Sequence, residues 1–126
     1  MANRTSESFP NSHRIVHSAD YRTIYETGQR INSGRFVLFG LENQKGHARL
    51  GITVSRKVGC AHIRNRIKRL FREIFRRSSE EIPRNLDLVV NAKSSCVDAG
   101  LQELREEFIA AARKLARKTY SQQEQV

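Results

Sequence analysis

Residues 63–76 read IRNRIKRLFREIFR, and no other stretch constrains the fold as much. Ile63, Ile67, Leu70, Phe71, Ile74 and Phe75 recur at i, i+4, i+7, i+8, i+11 and i+12. At about 100° per residue they share an arc of roughly 140° on one helix. A stripe that apolar has to be buried against another layer, which the remaining residues must supply. At 126 residues, 38% of them hydrophobic, the chain has material for one core and not two. We therefore expect a single domain spanning 1–126, with an ordered core of about 9–118 and frayed polar ends.

The other elements follow from spacing and punctuation. Ser18 before Ala19 and Gly28 after Thr27 bracket a helix of about two and a half turns, with Ser18 as a capping hydroxyl and Gly28 as the terminating glycine. Tyr21, Ile24 and Tyr25 share one side of it, and Ile24 takes the core role. Phe36–Leu41 and Arg49–Ser55 read as strands, the latter with Leu50, Ile52 and Val54 on one face. A polar stretch containing Gly46 separates them, and we expect the two to pair as a hairpin. A short strand fits Gln29–Asn32, and a buried one fits Leu86–Ala92 after Pro83 and Asn85. Leu101, Leu104, Phe108, Ala111 and Leu115 close the chain at helical spacing. The order α-β-β-β-α-β-α gives an α+β class: a small mixed sheet packed with helices as a two-layer α/β sandwich.

Charge is concentrated on the central helix and its approach. The whole chain carries +10, and +8 of this lies in residues 56–77, where nine basic residues face one acid, Glu73. Opposite the apolar stripe, Asn65, Arg69, Arg72 and Arg76 fall at i, i+4, i+7 and i+11, flanked by Arg66 and Lys68. Like charges at i, i+4 repel by a few tenths of a kcal/mol, a cost that phosphate contacts would reverse. A solvated basic face is the ordinary explanation of a charge run, but this concentration and a pI near 10.4 favour nucleic acid. An anionic membrane ranks third, because the sheet needs the apolar stripe. Helical DNA readers with dimer symmetry do not match a sheet-bearing basic domain, so RNA is favoured, with Tyr21, Tyr25 and Phe36 or Phe39 as stacking candidates. Gly59, after Ser55, Arg56, Lys57 and Val58, suits either a sharp turn that aims helix amides at a phosphate or an ordinary turn.

Enzymatic and metal readings find little support. Cys60 and Cys96 form neither a CxxC pair nor a disulfide framework, and His13, His17, His47 and His62 are scattered, although His13 and His17 have helical spacing. No paired carboxylates or HExxH motif occur. Without an eighteen-residue apolar run or a signal-like N-terminus, the cytoplasm is the expected location.

Arg64, Asn65, Arg66, Ile67, Lys68, Arg69, Leu70, Phe71, Arg72 and Glu73 together resemble the RNRxKRxxRE signature of the bacterial ribonuclease P protein subunit. Gly51 to Gly59 is similar to the strand and loop before that signature, and Phe9, Arg14, Tyr21, Tyr25, Gly28 and Phe36 to Phe39 extend the likeness over about 9–118. The resemblance implies a left-handed βαβ crossover, which ordinary handedness would disfavour. It also implies an endoribonuclease in which the RNA is the catalyst. The protein would bind that RNA and the 5′ leader of precursor tRNA, one protein per RNA, with no nuclease site of its own. No cofactor would be bound by the protein alone, magnesium entering through the RNA subunit. By the same resemblance, Arg56, Lys57, Arg64, Arg66 and Lys68 would contact the catalytic RNA, and Tyr21, Tyr25, Phe39, Asn65, Arg69 and Arg72 would line the leader cleft. Cys60 and His62 stand where the family often has Asn and Val, and the tyrosines stand where Phe is common. The competing class is a ribosomal-type structural protein held in folded rRNA.

Overall fold

In the computed structural model the described residues are 13–83 and 85–124, with side chains described through residue 119. Phe9 and the polar first eight residues lie outside this range. The elements are α1 (Ser18–Thr27), β1 (Gln29–Asn32), β2 (Phe36–Glu42), β3 (Arg49–Val54), α2 (Ala61–Arg77), β4 (Leu86–Ala92) and α3 (Leu101–Glu124), with single 3-10 turns at Arg56–Val58 and Ser94–Cys96. Type and order agree with the expected α-β-β-β-α-β-α.

Strand pairing departs from expectation. The sheet order is β1-β2-β4-β3. β2 pairs antiparallel with β1 and β4, and β3 pairs parallel with β4. The expected hairpin between 36–41 and 49–55 is therefore absent; the local hairpin is β1–β2, turning at Ser33 and Gly34. The reason is physical: β4 is the apolar strand that wants both faces covered, and it takes the central position between β2 and β3. β3 thus becomes an edge, connected to β4 through α2. The chain just before α1 runs along that edge, where the Ile15 amide donates to the Leu50 carbonyl at 3.0 Å.

Alternation along the strands sends successive residues to opposite faces. On one face Phe36, Leu38, Leu50, Leu86, Leu88 and Val90 pack with Ile67, Phe71 and Ile74 of α2 and Leu104, Phe108 and Leu115 of α3. Phe36, Phe71 and Phe108 form an aromatic cluster with ring centroids 5.4–6.4 Å apart. The apolar stripe of α2 is thereby buried as its spacing requires. On the far face Ile24 of α1 packs with Ile15 and Val89, while Tyr21, Phe39 and Leu41 are only partly covered.

The ends of α1 differ from the sequence reading. Ser18 is its first residue, His17 occupies the cap position, and no side chain caps the helix. Gly28 has φ −81°, so it is not a left-handed terminator. What demands glycine there is proximity: a Cβ would lie 2.5 Å from the Gly40 carbonyl oxygen and 2.6 Å from that of Ile24. A bidentate pair also anchors the far face. Arg49 donates to both carboxylate oxygens of Asp87 at 2.8 and 2.6 Å, Asn43 donates to the same carboxylate at 2.7 Å, and Asp20 of α1 lies 3.6 Å from Arg49.

Candidate nucleic-acid interface

The partly covered face of the sheet and the polar face of α2 meet across the β3 edge. Tyr21 and Tyr25, one helical turn apart on α1, both overhang the sheet, with ring centroids 6.4 Å apart. Tyr25 stands edge-on to Phe39, at 4.8 Å and 85°. Tyr25 is 37% exposed, a high value for an aromatic among packed neighbours. Phe36 points to the opposite face and is fully buried, so it is removed from the stacking candidates and Phe39 remains. The period-two rule decides between them, since strand residues three positions apart lie on opposite faces.

Tyr21 is positioned closely. A Cβ at Gly51 would sit 2.5 Å from the Tyr21 hydroxyl oxygen, so only glycine leaves the ring its place. Burial, and secondarily Tyr25, raise the phenol's pKa above the ordinary value, against the pull of the Ile52 backbone and Arg72. Tyr21 thus stays a neutral phenol at physiological pH. Beside it a recess of about 260 Å³ is lined by Arg14, Gly51, Ile52, Lys68 and Arg72, among others. Desolvation, then the neighbouring Arg14 charge, lowers the Arg72 guanidinium pKa. Two guanidinium groups and an ammonium around one recess make a site that gains from an anion.

The remaining expected residues are distributed along α2 and its approach. Asn65 and Arg69 are exposed on the stripe that ends at Arg72, and among the described residues neither has a hydrogen-bond or ion-pair partner. Arg56 and Lys57 project from the 3-10 turn before α2, also exposed and without a carboxylate partner among the described residues. Arg64 donates to the Gly59 carbonyl at 3.2 Å and Arg66 to the Val97 carbonyl at 2.6 Å, bonds that orient each guanidinium while leaving other N–H groups available. Arg76, the last member of the stripe, is drawn to Glu73 at 2.8 Å. Lys68 turns toward Arg72 and Tyr21, and so lines the recess rather than standing apart with Arg64 and Arg66.

Two participants escaped the sequence reading. Asn91 on β4 and Thr53 on β3 are paired in register and share the open face with Tyr25. Asp87 and Asn91, four positions apart and so on one face of the otherwise apolar Leu86–Ala92 strand, were the available signal. The histidines are also arranged differently from their spacing: His13 packs against His47, with centroids 4.6 Å apart, and not against His17. Among the described residues no helix is long and apolar enough to cross a membrane.

Known proteins place this geometry. The ribonuclease P family profile matches residues 9–116. The ribonuclease P protein component of Cronobacter sakazakii is 40% identical over 100 residues, covering 79% of this chain and 83% of that protein. That of Desulfovibrio desulfuricans is 38% identical over 112 residues, covering 86% of each. Among solved structures, the RNase P protein from Thermotoga maritima superposes with a TM-score of 0.75 at 31% identity, covering 80% of this chain and 96% of that one. The Staphylococcus aureus RNase P protein gives 0.73 at 32%, covering 80% and 93%. Fold, signature helix and likeness agree across most of the chain, which therefore belongs to the ribonuclease P protein component family.

Proposed function

We propose that this chain is the protein subunit of ribonuclease P, binding the catalytic RNA and the 5′ leader of precursor tRNA to promote endonucleolytic 5′ maturation. The observation that carries the proposal is the pairing of two surfaces: an exposed cationic stripe on α2, and stacking groups on an open sheet face next to it. Arg56, Lys57, Arg64, Arg66 and Lys68 face the catalytic RNA. Asn65, Arg69 and Arg72 hold leader phosphates while Tyr21, Tyr25 and Phe39 offer aromatic surfaces to unpaired bases. Lys68, at the recess, bridges the two sets.

In this mechanism the protein contributes binding and charge neutralisation. Each phosphate brought beside a guanidinium loses part of its repulsion from the RNA already present, so precursor binds better than a leaderless product. The cleft's named side chains are cationic or neutral and include no carboxylate; in this reading magnesium enters through the RNA subunit, which carries the hydrolysis. One protein serves one RNA, in the cytoplasm.

Reconstituted cleavage tests the proposal. Adding the protein to a bacterial ribonuclease P RNA at low magnesium should stimulate precursor tRNA cleavage, with the product end at the mature 5′ nucleotide. Absence of stimulation together with co-sedimentation of the protein with ribosomal subunits would replace this reading with the rRNA-binding one. Cleavage by the RNA-free protein would overturn the assignment of chemistry to RNA.

A further inference from the structure

The open sheet face carries a hydrogen-bonded triad with one unused end. Tyr25 donates to Asn91 Oδ1 at 2.8 Å, and Thr53 Oγ1 donates to the same oxygen. A carboxamide oxygen has two lone pairs, so these two hydroxyls occupy both. They leave the Nδ2 amino group, which has no hydrogen-bond partner among the described residues. The two bonds come from different elements, α1 and β3, and together hold the amide in one orientation.

Asn91 follows Val89 by two residues on β4, and Val89 is the register partner of Phe39 on β2. Asn91 is therefore the diagonal neighbour of Phe39 on the same face, at a separation of about 7–8 Å between such positions. That is roughly the reach of a base laid over the Phe39 ring, with its polar edge directed along the strand. From these positions we infer that Asn91 is a specificity-determining residue of the leader cleft, selecting a base with a carbonyl at pyrimidine position 4 or purine position 6 over one with an amino group there. With its oxygen engaged, the amide can only donate. Uracil O4 and guanine O6 accept that bond, whereas the amino groups of cytosine and adenine meet it as a second donor. The bidentate amide pairing that reads adenine requires a free oxygen, and Asn91 has none. The inference rests on the proposed leader-binding role and adds the base class that the cleft prefers.

The experiment uses holoenzyme reconstituted with catalytic RNA, and precursor tRNAs carrying each of the four bases at successive leader positions. At one leader position the unaltered protein should bind uracil or guanine about three- to tenfold tighter than cytosine or adenine, the value of one neutral hydrogen bond. Asn91→Val should erase that ratio while precursor stays preferred over mature tRNA. Asn91→Asp, nearly isosteric, presents an acceptor where the amino group was and should reverse the ratio toward amino bases. A purely structural Asn91 would change overall affinity and leave base ratios intact. Equal binding of all four bases by the unaltered protein, or a keto preference that survives Asn91→Val, overturns the inference while leader binding stands. Equal binding of precursor and mature tRNA by the unaltered protein overturns both.

Discussion

Alternate residues of the same strands build the two faces of this sheet, and the faces have opposite fates. Phe36, Leu38, Leu88 and Val90 are fully buried beneath α2 and α3. Their neighbours Val37, Phe39 and Asn91 stay partly exposed beside α1, a helix of ten residues too short to cover four strands. The sealed face supplies the stability of a small domain, and that frees the other to keep aromatic rings and unmatched polar groups in contact with solvent. Recognition surface is carried here at the expense of burial, and one strand can serve both needs because its side chains alternate.

The comparison can be broken at several strengths. The largest effect belongs to the sealed face: Phe71→Ala removes a ring that touches both Phe36 and Phe108, and should cost about 4 kcal/mol in urea unfolding. A loss under about 1 kcal/mol would mean that the core is not centred there. On the open side, Arg69→Ala combined with Arg72→Ala should leave the unfolding midpoint nearly unchanged. It should weaken precursor tRNA binding to the holoenzyme about ten- to a hundredfold, mature tRNA far less, and flatten the log K against log salt slope by about 0.7 to 0.9 per lost phosphate contact. Equal losses for both tRNAs would remove leader recognition from this face.

The smallest effect is at Glu73, the lone acid of the basic helix. Hydrogen bonds from Arg76, then from Arg77, hold its carboxyl below the ordinary carboxylate range. A lowered folded-state pKa stabilises the protein at pH above the unfolded value, and that contribution fades as pH falls through the lowered one. Glu73→Gln should therefore cost about 0.5 kcal/mol at neutral pH, with the difference from the unaltered protein closing in acid. A gap that widened on acidification would contradict the pairing.

Local features of the fold were legible in the sequence, and non-local ones were not. The stripe from Ile63 to Phe75 and the repeat from Leu101 to Leu115 announce their helices because helical periodicity is a property of neighbouring residues. The 36–41 and 49–55 strands were correctly recognised but wrongly joined, since nothing within them records that β4 will come between. Gly28 does end its helix, but the constraint that requires glycine there comes in part from Gly40, twelve residues on. The cationic stripe was visible in projection, whereas the recess formed by Lys68, Arg72, Arg14 and Tyr21 depends on a helix and a sheet edge meeting in space. Asn91 and Thr53 went unnoticed for the same reason: each is unremarkable until the parallel pairing sets them side by side.

The insertion of β4 between β2 and β3 also sets an order of events during synthesis. As the chain emerges, β1 and β2 can zip together at once, but β3 has no neighbouring strand of the sheet and α2 only part of its cover until residues 86–92 are made. Closing the sheet from its middle is a long-range step that should limit the folding rate. Until then the growing polypeptide presents its most positive segment, apolar side included, to whatever polyanion is near the ribosome exit.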